Sequence, residues 1–284
     1  MKIICLTEDS PAMRYTVNSL HNQFGVSLVV LEHTRARRFA EDLKRFGLLE
    51  TLQRVLFVLR RAIPRGRNVA VCNEVFGCNW SSLDPSIPQL HTQDINGAEV
   101  REAIAELKPD IVVCQGTTLV RDRTIANVPY ALNIHAGLSP YYRGSRCTEW
   151  ALAWGDILNI GVTVHRLTKD IDGGAILGQA RVPILPDDDV FSINSRITAA
   201  GTHIVCEALA LLQRGVTLAF RSQPPEQGLI LYRRQFSRHL PRHVRSLLRR
   251  GELRNMIIRP SAAAYPLIAP WPPQANEVNP RISA

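Results

Sequence analysis

Continuous apolar runs of four to six residues alternate along this chain with stretches whose apolar residues recur at helical spacing. Residues 2–7, 26–31 and 111–114 are short, mostly apolar runs, and each predicts a strand buried on both faces. Between the first two, Asp9 or Ser10 can cap a helix that has Pro11 at its first position and runs to about Gln23. This strand–helix–strand opening predicts an α/β chain built on a Rossmann-like, doubly wound, mostly parallel sheet. Residues 34–62 are basic and helical in pattern, as two helices broken at Gly47, and residues 64–88 read as a connection holding one short helix. A strand over 89–92 and a helix over 97–107, capped by Asp94 or Asn96, lead into the run at 111–114.

The second half continues the alternation. A strand through Leu132 and Ile134 is followed by a helix over 148–154, a strand over 161–167 and another over 175–184. A long amphipathic helix follows Asp187–Asp189. Val190, Ile193, Ile197, Ile204, Leu209 and Leu212 form its stripe, Gly201 interrupts it mildly and Gly215 stops it. Beyond that point lie one short strand near 229–232 and a helix started by Pro241 with Leu240, Val244, Leu247 and Leu248 inward. Pro266, Pro270, Pro272, Pro273 and Pro280 predict an extended, flexible end. The expected organisation is a domain over 1–215, a small basic extension over 216–260 and a proline-rich tail over 261–284.

Candidate chemistry sits where the strand ending in Asn133-Ile-His135 runs out into Gly137, Ser139 and Pro140. Side chains two apart on a strand share a face, so an amide and an imidazole are presented together at a strand end, where open α/β sheets bind ligands. Taken alone, Asn-x-His equally describes a satisfied buried pair. A second strand, Gly161-Val-Thr-Val-His165, leads to Asp172-Gly173-Gly174, and a carboxylate before two glycines reads as a tight loop. Asn133, His135 and Asp172 then make a polar triad with no side-chain nucleophile, which leaves the nucleophile to the substrate. His165, two residues after Thr163, reads primarily as a core histidine bonded to backbone. There is no Gly-x-Gly-x-x-Gly after the first strand, so no dinucleotide cofactor is expected.

The ordered set Asn133-Ile-His135, Gly137-Leu-Ser-Pro140, Tyr142-Arg143-Gly144, Gly161-Val-Thr-Val-His165 and Ile171-Asp172-Gly173-Gly174 resembles the formyltransferases that use 10-formyltetrahydrofolate. Departures fall at Ala136, Ser139 and Cys147, on the acceptor side of the loop. The resemblance implies a formyl group moved from 10-formyltetrahydrofolate to a primary amine, with Asn133, His135 and Asp172 as the catalytic set. Asp172 would favour the charged imidazole and carry a proton from the amine through a water. It further implies a donor-binding set of Thr117, Thr118, Leu119, Asp170 and Ile171, and a substrate loop of Gly137, Ser139, Pro140, Tyr142 and Arg143. No metal is needed. The acceptor it favours is a nucleotide-linked amino sugar or another small metabolite amine. Methionyl-tRNA is the runner-up, because its family members carry a barrel-like domain that the segment after Gly215 does not resemble. A non-catalytic anion- or nucleic-acid-binding protein on the same scaffold is the third reading.

Composition changes this picture at one place. The 284 residues carry a net charge of +9, and between Arg221 and Arg259 ten arginines face only Glu226 and Glu252. Such a concentration of cations attracts phosphates, nucleic acid or anionic lipid. Six cysteines scattered without a Cys-x-x-Cys pair read as buried thiols in a reducing cytoplasm and predict no zinc site. No secretory leader and no membrane span are read, and a homo-oligomer is left open.

Overall fold

The computed structural model describes residues 1–34, 43–44, 47–48, 51–52, 66–224, 228–235 and 239–271. Most of the basic stretch expected as two helices over 34–62 lies outside the described residues. The chain forms two compact units, residues 1–131 and 132–284.

The first unit runs β1 (Ile3–Thr7), α1 (Pro11–Phe24), β2 (Leu28–Glu32), α2 (Gly66–Phe76), β3 (Gln89–Thr92), α3 (Ala98–Leu107), β4 (Ile111–Gln115) and α4 (Asp122–Ile125). Its strands pair in parallel in the order β3-β2-β1-β4, with Cys5 opposite both Val29 and Val113. Every residue of β1, β2 and β4 is buried, which is why these strands appear in the sequence as mostly apolar runs. Two expected caps fall elsewhere. Ser10 occupies the N-cap of α1 but makes no side-chain capping bond, and Gly97 is the N-cap of α3. Asn96 instead donates to Leu119 O, while its Oδ1 accepts from Arg121 N and from Thr124 Oγ1.

The second unit contains most of β5 (Tyr130–His135), then β6 (Tyr142–Gly144), α5 (Cys147–Ala153), β7 (Gly161–Arg166), β8 (Ile176–Arg181), α6 (Val190–Gln213), β9 (Leu229–Leu231), α7 (His239–Arg249) and α8 (Glu252–Ile258). Here the pairing is antiparallel, β5 with β7 and β7 with β8, while β6 pairs with β9 in parallel. A capping box opens α6: Asp189 Oδ1 accepts from Phe191 N and Ser192 N, and Ser192 Oγ accepts from Asp189 N. Gly201, in the middle of α6, lies against Ile134 and Val162. A Cβ there would overlap the Ile134 methyl, so the glycine lets helix and sheet approach closely. On α7, Leu240, Val244 and Leu247 are buried and Arg242, Arg245 and Arg249 are exposed. Residues 261–271, read from their prolines as a flexible end, take no regular structure but are hydrogen-bonded to β8 and to the α5–β7 connection.

Candidate active site

The antiparallel register of β5 on β7 sets Asn133 opposite His165 and His135 opposite Thr163. Four polar side chains therefore share one face of two neighbouring strands, and Ile134, Val162 and Val164 are buried. Asp172, in the turn between β7 and β8, closes the group. Its Oδ1 accepts from Asn133 Nδ2 at 3.1 Å and lies 3.4 Å from His165 Nε2. Its Oδ2 accepts from the Gly144 N–H at 2.8 Å and faces His135 Nδ1 at 3.3 Å. Asp172 has φ +46°, a left-handed conformation that costs a non-glycine residue roughly 1–2 kcal/mol. Strain of this kind collects at functional sites.

Burial pushes the Asp172 carboxyl up. The charge of His135, the bond from His165 and the Gly144 N–H outweigh it and hold the group well below its ordinary value of 3.8. Asp172 is thus an anion and a weak base at neutral pH. His135 is buried, with Nε2 donating to Tyr142 O at 2.9 Å, so both its ring nitrogens face oxygen acceptors. His165 donates from Nδ1 to Arg166 O at 2.8 Å, the backbone bond expected of a core histidine, and also turns Nε2 to Asn133 and Asp172. Cys147 Sγ lies 3.7 Å from His135 Nε2. Burial first, then Asp172 and Glu149, raise that thiol well above 9.0, so it is no nucleophile.

The expected loop residues gather around this group. Gly137 has no room for a side chain: a Cβ would stand 2.5 Å from His135 Nε2 and 2.6 Å from Tyr142 O. Ser139 donates from Oγ to Asp172 O, Pro140 is joined by a cis peptide bond, and the Tyr142 hydroxyl donates to Asp156. Arg143 is buried, and its Nε–H has no partner among the described residues. Asp170 is exposed and Ile171 half-buried, and the Asp170 carbonyl accepts from Gly173 N in the turn that presents Asp172. Thr117, Thr118 and Leu119 belong to the first unit. There Thr118 donates from both N and Oγ1 to Glu32, and Leu119 is 54% exposed.

Gln179 and Gln223 were not foreseen as site residues. Gln223 donates from Nε2 to Asp172 O and Gly174 O. It lies 51 residues beyond Asp172, and no local pattern marks it. The alternation Thr163-x-His165 could have placed His165 beside Asn133, had the antiparallel register been known. Among the described residues no cluster of three His, Cys, Asp or Glu is arranged to hold a metal, and no helix is long and apolar enough to cross a membrane.

Residues 78–209 match the family model described as formyl transferase. A methionyl-tRNA formyltransferase of Koribacter versatilis is 30% identical over 169 residues, which cover 58% of this chain and 53% of that protein. One from Burkholderia orbicola is 29% identical over 157 residues, 55% of this chain and 47% of that protein. The chain thus spans about half the length of the curated relatives it matches. A 4-N formyltransferase from Francisella tularensis superposes with TM-score 0.54 at 15% identity, covering 83% of this chain and 77% of that one. Glycinamide ribonucleotide transformylase 1 from Symbiobacterium toebii superposes with TM-score 0.53 at 23% identity, covering 78% and 93%. At such identities the superpositions speak for the fold. The ordered motifs and the matched segment make residues 78–209 similar to the formyl transferases, and the superpositions show that the chain shares their fold.

Proposed function

We propose that this protein transfers a formyl group from 10-formyltetrahydrofolate to a primary amine. The observation that carries the reading is the convergence of Asn133, His135 and His165 on the Asp172 carboxylate within the segment matched to formyl transferases. Attack of the amine on the formyl carbon builds negative charge on the formyl oxygen. The Asn133 amide, only partly buried, supplies an N–H to that oxygen, and His135 supplies a second by exchanging its bond to the Tyr142 carbonyl. A placed donor of this kind is worth about 3 kcal/mol in the transition state. Asp172, an anion and a weak base, orients the two imidazoles. The amine proton leaves to solvent or to the departing folate nitrogen.

The acceptor we favour is an amino sugar carried on a nucleoside diphosphate. The buried, unpartnered Nε–H of Arg143 beside Gly173 is a donor that an anionic group on such a substrate can fill. A second reading, methionyl-tRNA, is favoured by the names of the curated relatives and by the exposed Arg242, Arg245 and Arg249 of α7. Incubating the protein with 10-formyltetrahydrofolate and either nucleotide-linked amino sugars or methionyl-tRNA, and weighing the products, separates the two. Formylated product that disappears in Asn133→Ala is expected. Donor left unconsumed with every amine offered overturns the enzyme reading.

A further inference from the structure

Three side chains stand in a row across the second unit's sheet. His135 on β5 is paired with Thr163 on β7, and Thr163 is paired with Gln179 on β8. Gln179 is 0% exposed and its amide is fully used. Nε2 donates to Ser139 O at 2.6 Å and to Thr163 Oγ1 at 3.1 Å, while Oε1 accepts from Ile268 N at 2.8 Å and from Ala269 N at 3.4 Å. The Thr163 hydroxyl is equally committed: it donates to Gly137 O at 2.7 Å and accepts from Ser139 N at 2.9 Å. One hydroxyl offers one donor and two acceptors, and all three are engaged. The partners leave the Gln179 amide a single orientation, with its oxygen toward two N–H groups of residues 261–271 and its nitrogen toward the loop after β5.

The same segment is held independently of that amide. Gln179 N donates to Ala269 O, Trp271 N donates to Gln179 O, and Tyr265 N donates to Asn159 Oδ1. It also reaches the loop directly: Tyr141 stacks on Tyr265 with ring centroids 4.5 Å apart, and the Tyr141 hydroxyl donates to Pro266 O at 3.0 Å.

We propose that residues 261–271 are a strap that sets the Gly137–Gly144 loop through Gln179 and Tyr141, and that Gln179 is a positioning residue for the Asn133–His135–Asp172 group. Gln179 touches none of the reacting groups. It acts through Ser139, whose hydroxyl donates to the Asp172 carbonyl, and through Thr163, whose strand also carries His165. The catalytic consequence rests on the formyl-transfer reading, whereas the mechanical one does not.

The test is hydrogen exchange on the full chain, read by mass spectrometry over peptides covering 137–146, for wild type, Gln179→Glu and Tyr265→Ala. Gln179→Glu keeps the shape and an acceptor toward Ile268 and Ala269 but turns an oxygen onto the Ser139 carbonyl. Exchange over 137–146 is expected to rise about tenfold, the effect of one net hydrogen bond, with peptides of β1 unchanged. Tyr265→Ala removes a surface ring, leaves the buried amide intact and is expected to give a smaller rise in the same peptides. Steady-state kinetics of Gln179→Glu should show kcat falling more than the donor KM rises, with Gln179→Asn failing to restore it because the shorter amide cannot span both sides. Wild-type exchange over 137–146 in both folded variants overturns the proposal. Loosening of the loop in a protein that formylates no amine keeps the strap and removes only the catalytic reading.

Discussion

Two strand ends in this molecule bring a carboxylate together with hydroxyl, amide and backbone donors, and they spend it differently. At the end of β2, Glu32 is 2% exposed and takes the N–H and the hydroxyl of Thr118 at 2.6 Å each and the N–H of Ile95 at 3.3 Å. These donors are two backbone amides and a hydroxyl, all neutral, so the bonds clamp the turn. In the turn after β7, the Asp172 side chain is 15% exposed and faces two imidazoles, an amide and one backbone N–H. Two of those partners are imidazoles, and the carboxylate stays in reach of water. Partner type and residual access, rather than the presence of a buried acid, separate a structural clamp from a group able to do chemistry.

The contrast breaks most sharply under Asn133→Ala, which removes the proposed donor to the formyl oxygen together with its bond to Asp172 and should cost roughly 10²–10³ in kcat while folate still binds. Steady-state formyl transfer beside donor-binding titration measures it, and equal loss of binding and turnover would assign Asn133 to ground-state binding. Glu32→Gln presents an N–H to donors that need an acceptor, and is expected to cost about 1–3 kcal/mol of stability by denaturant unfolding. If Thr117–Leu119 contact the formyl donor, the same variant also raises the donor KM; an unchanged KM removes that turn from the donor site. Gly137→Ala forces a Cβ against His135 Nε2 and Tyr142 O, and should lower stability by about 1–3 kcal/mol together with activity.

The smallest effect is one of pH. Because the folded Asp172 acid lies below its ordinary value of 3.8, the stability it contributes is complete above that value and is lost as pH falls through the folded one. The difference in denaturant midpoint between wild type and Asp172→Asn should therefore hold steady from pH 7 to about 5 and shrink only below 3.8. A difference that stays flat as pH falls below 3.8 would mean the carboxylate is not held by its imidazole and N–H partners.

Much of this was legible in one dimension. β1, β2 and β4 appear as mostly apolar runs because a parallel sheet covered on both faces leaves no polar side to alternate. α6 follows from its stripe and from the Asp189–Ser192 box. Asn133, His135 and Asp172 were legible from period-two spacing and a glycine-bounded turn. Less visible were the caps of α1 and α3, where the Ser10 side chain makes no capping bond and Asn96 spends its amide on the next turn. Such residues have several local partners within reach, and packing selects among them.

The chain on its own determined which segments bury themselves, which strand ends carry polar side chains, and which family the ordered motifs resemble, because hydrophobic period and turn chemistry are local properties. Tertiary structure alone decided that β5 and β7 run antiparallel with Asn133 opposite His165, which recruits a second imidazole to Asp172. It also decided that Gln179 bonds both the Ser139 carbonyl and the Ile268 N–H, and that Gln223 bonds the Asp172 turn. Register and long-range hydrogen bonds are fixed by the packing of segments far apart in the chain, and no window of sequence contains both partners.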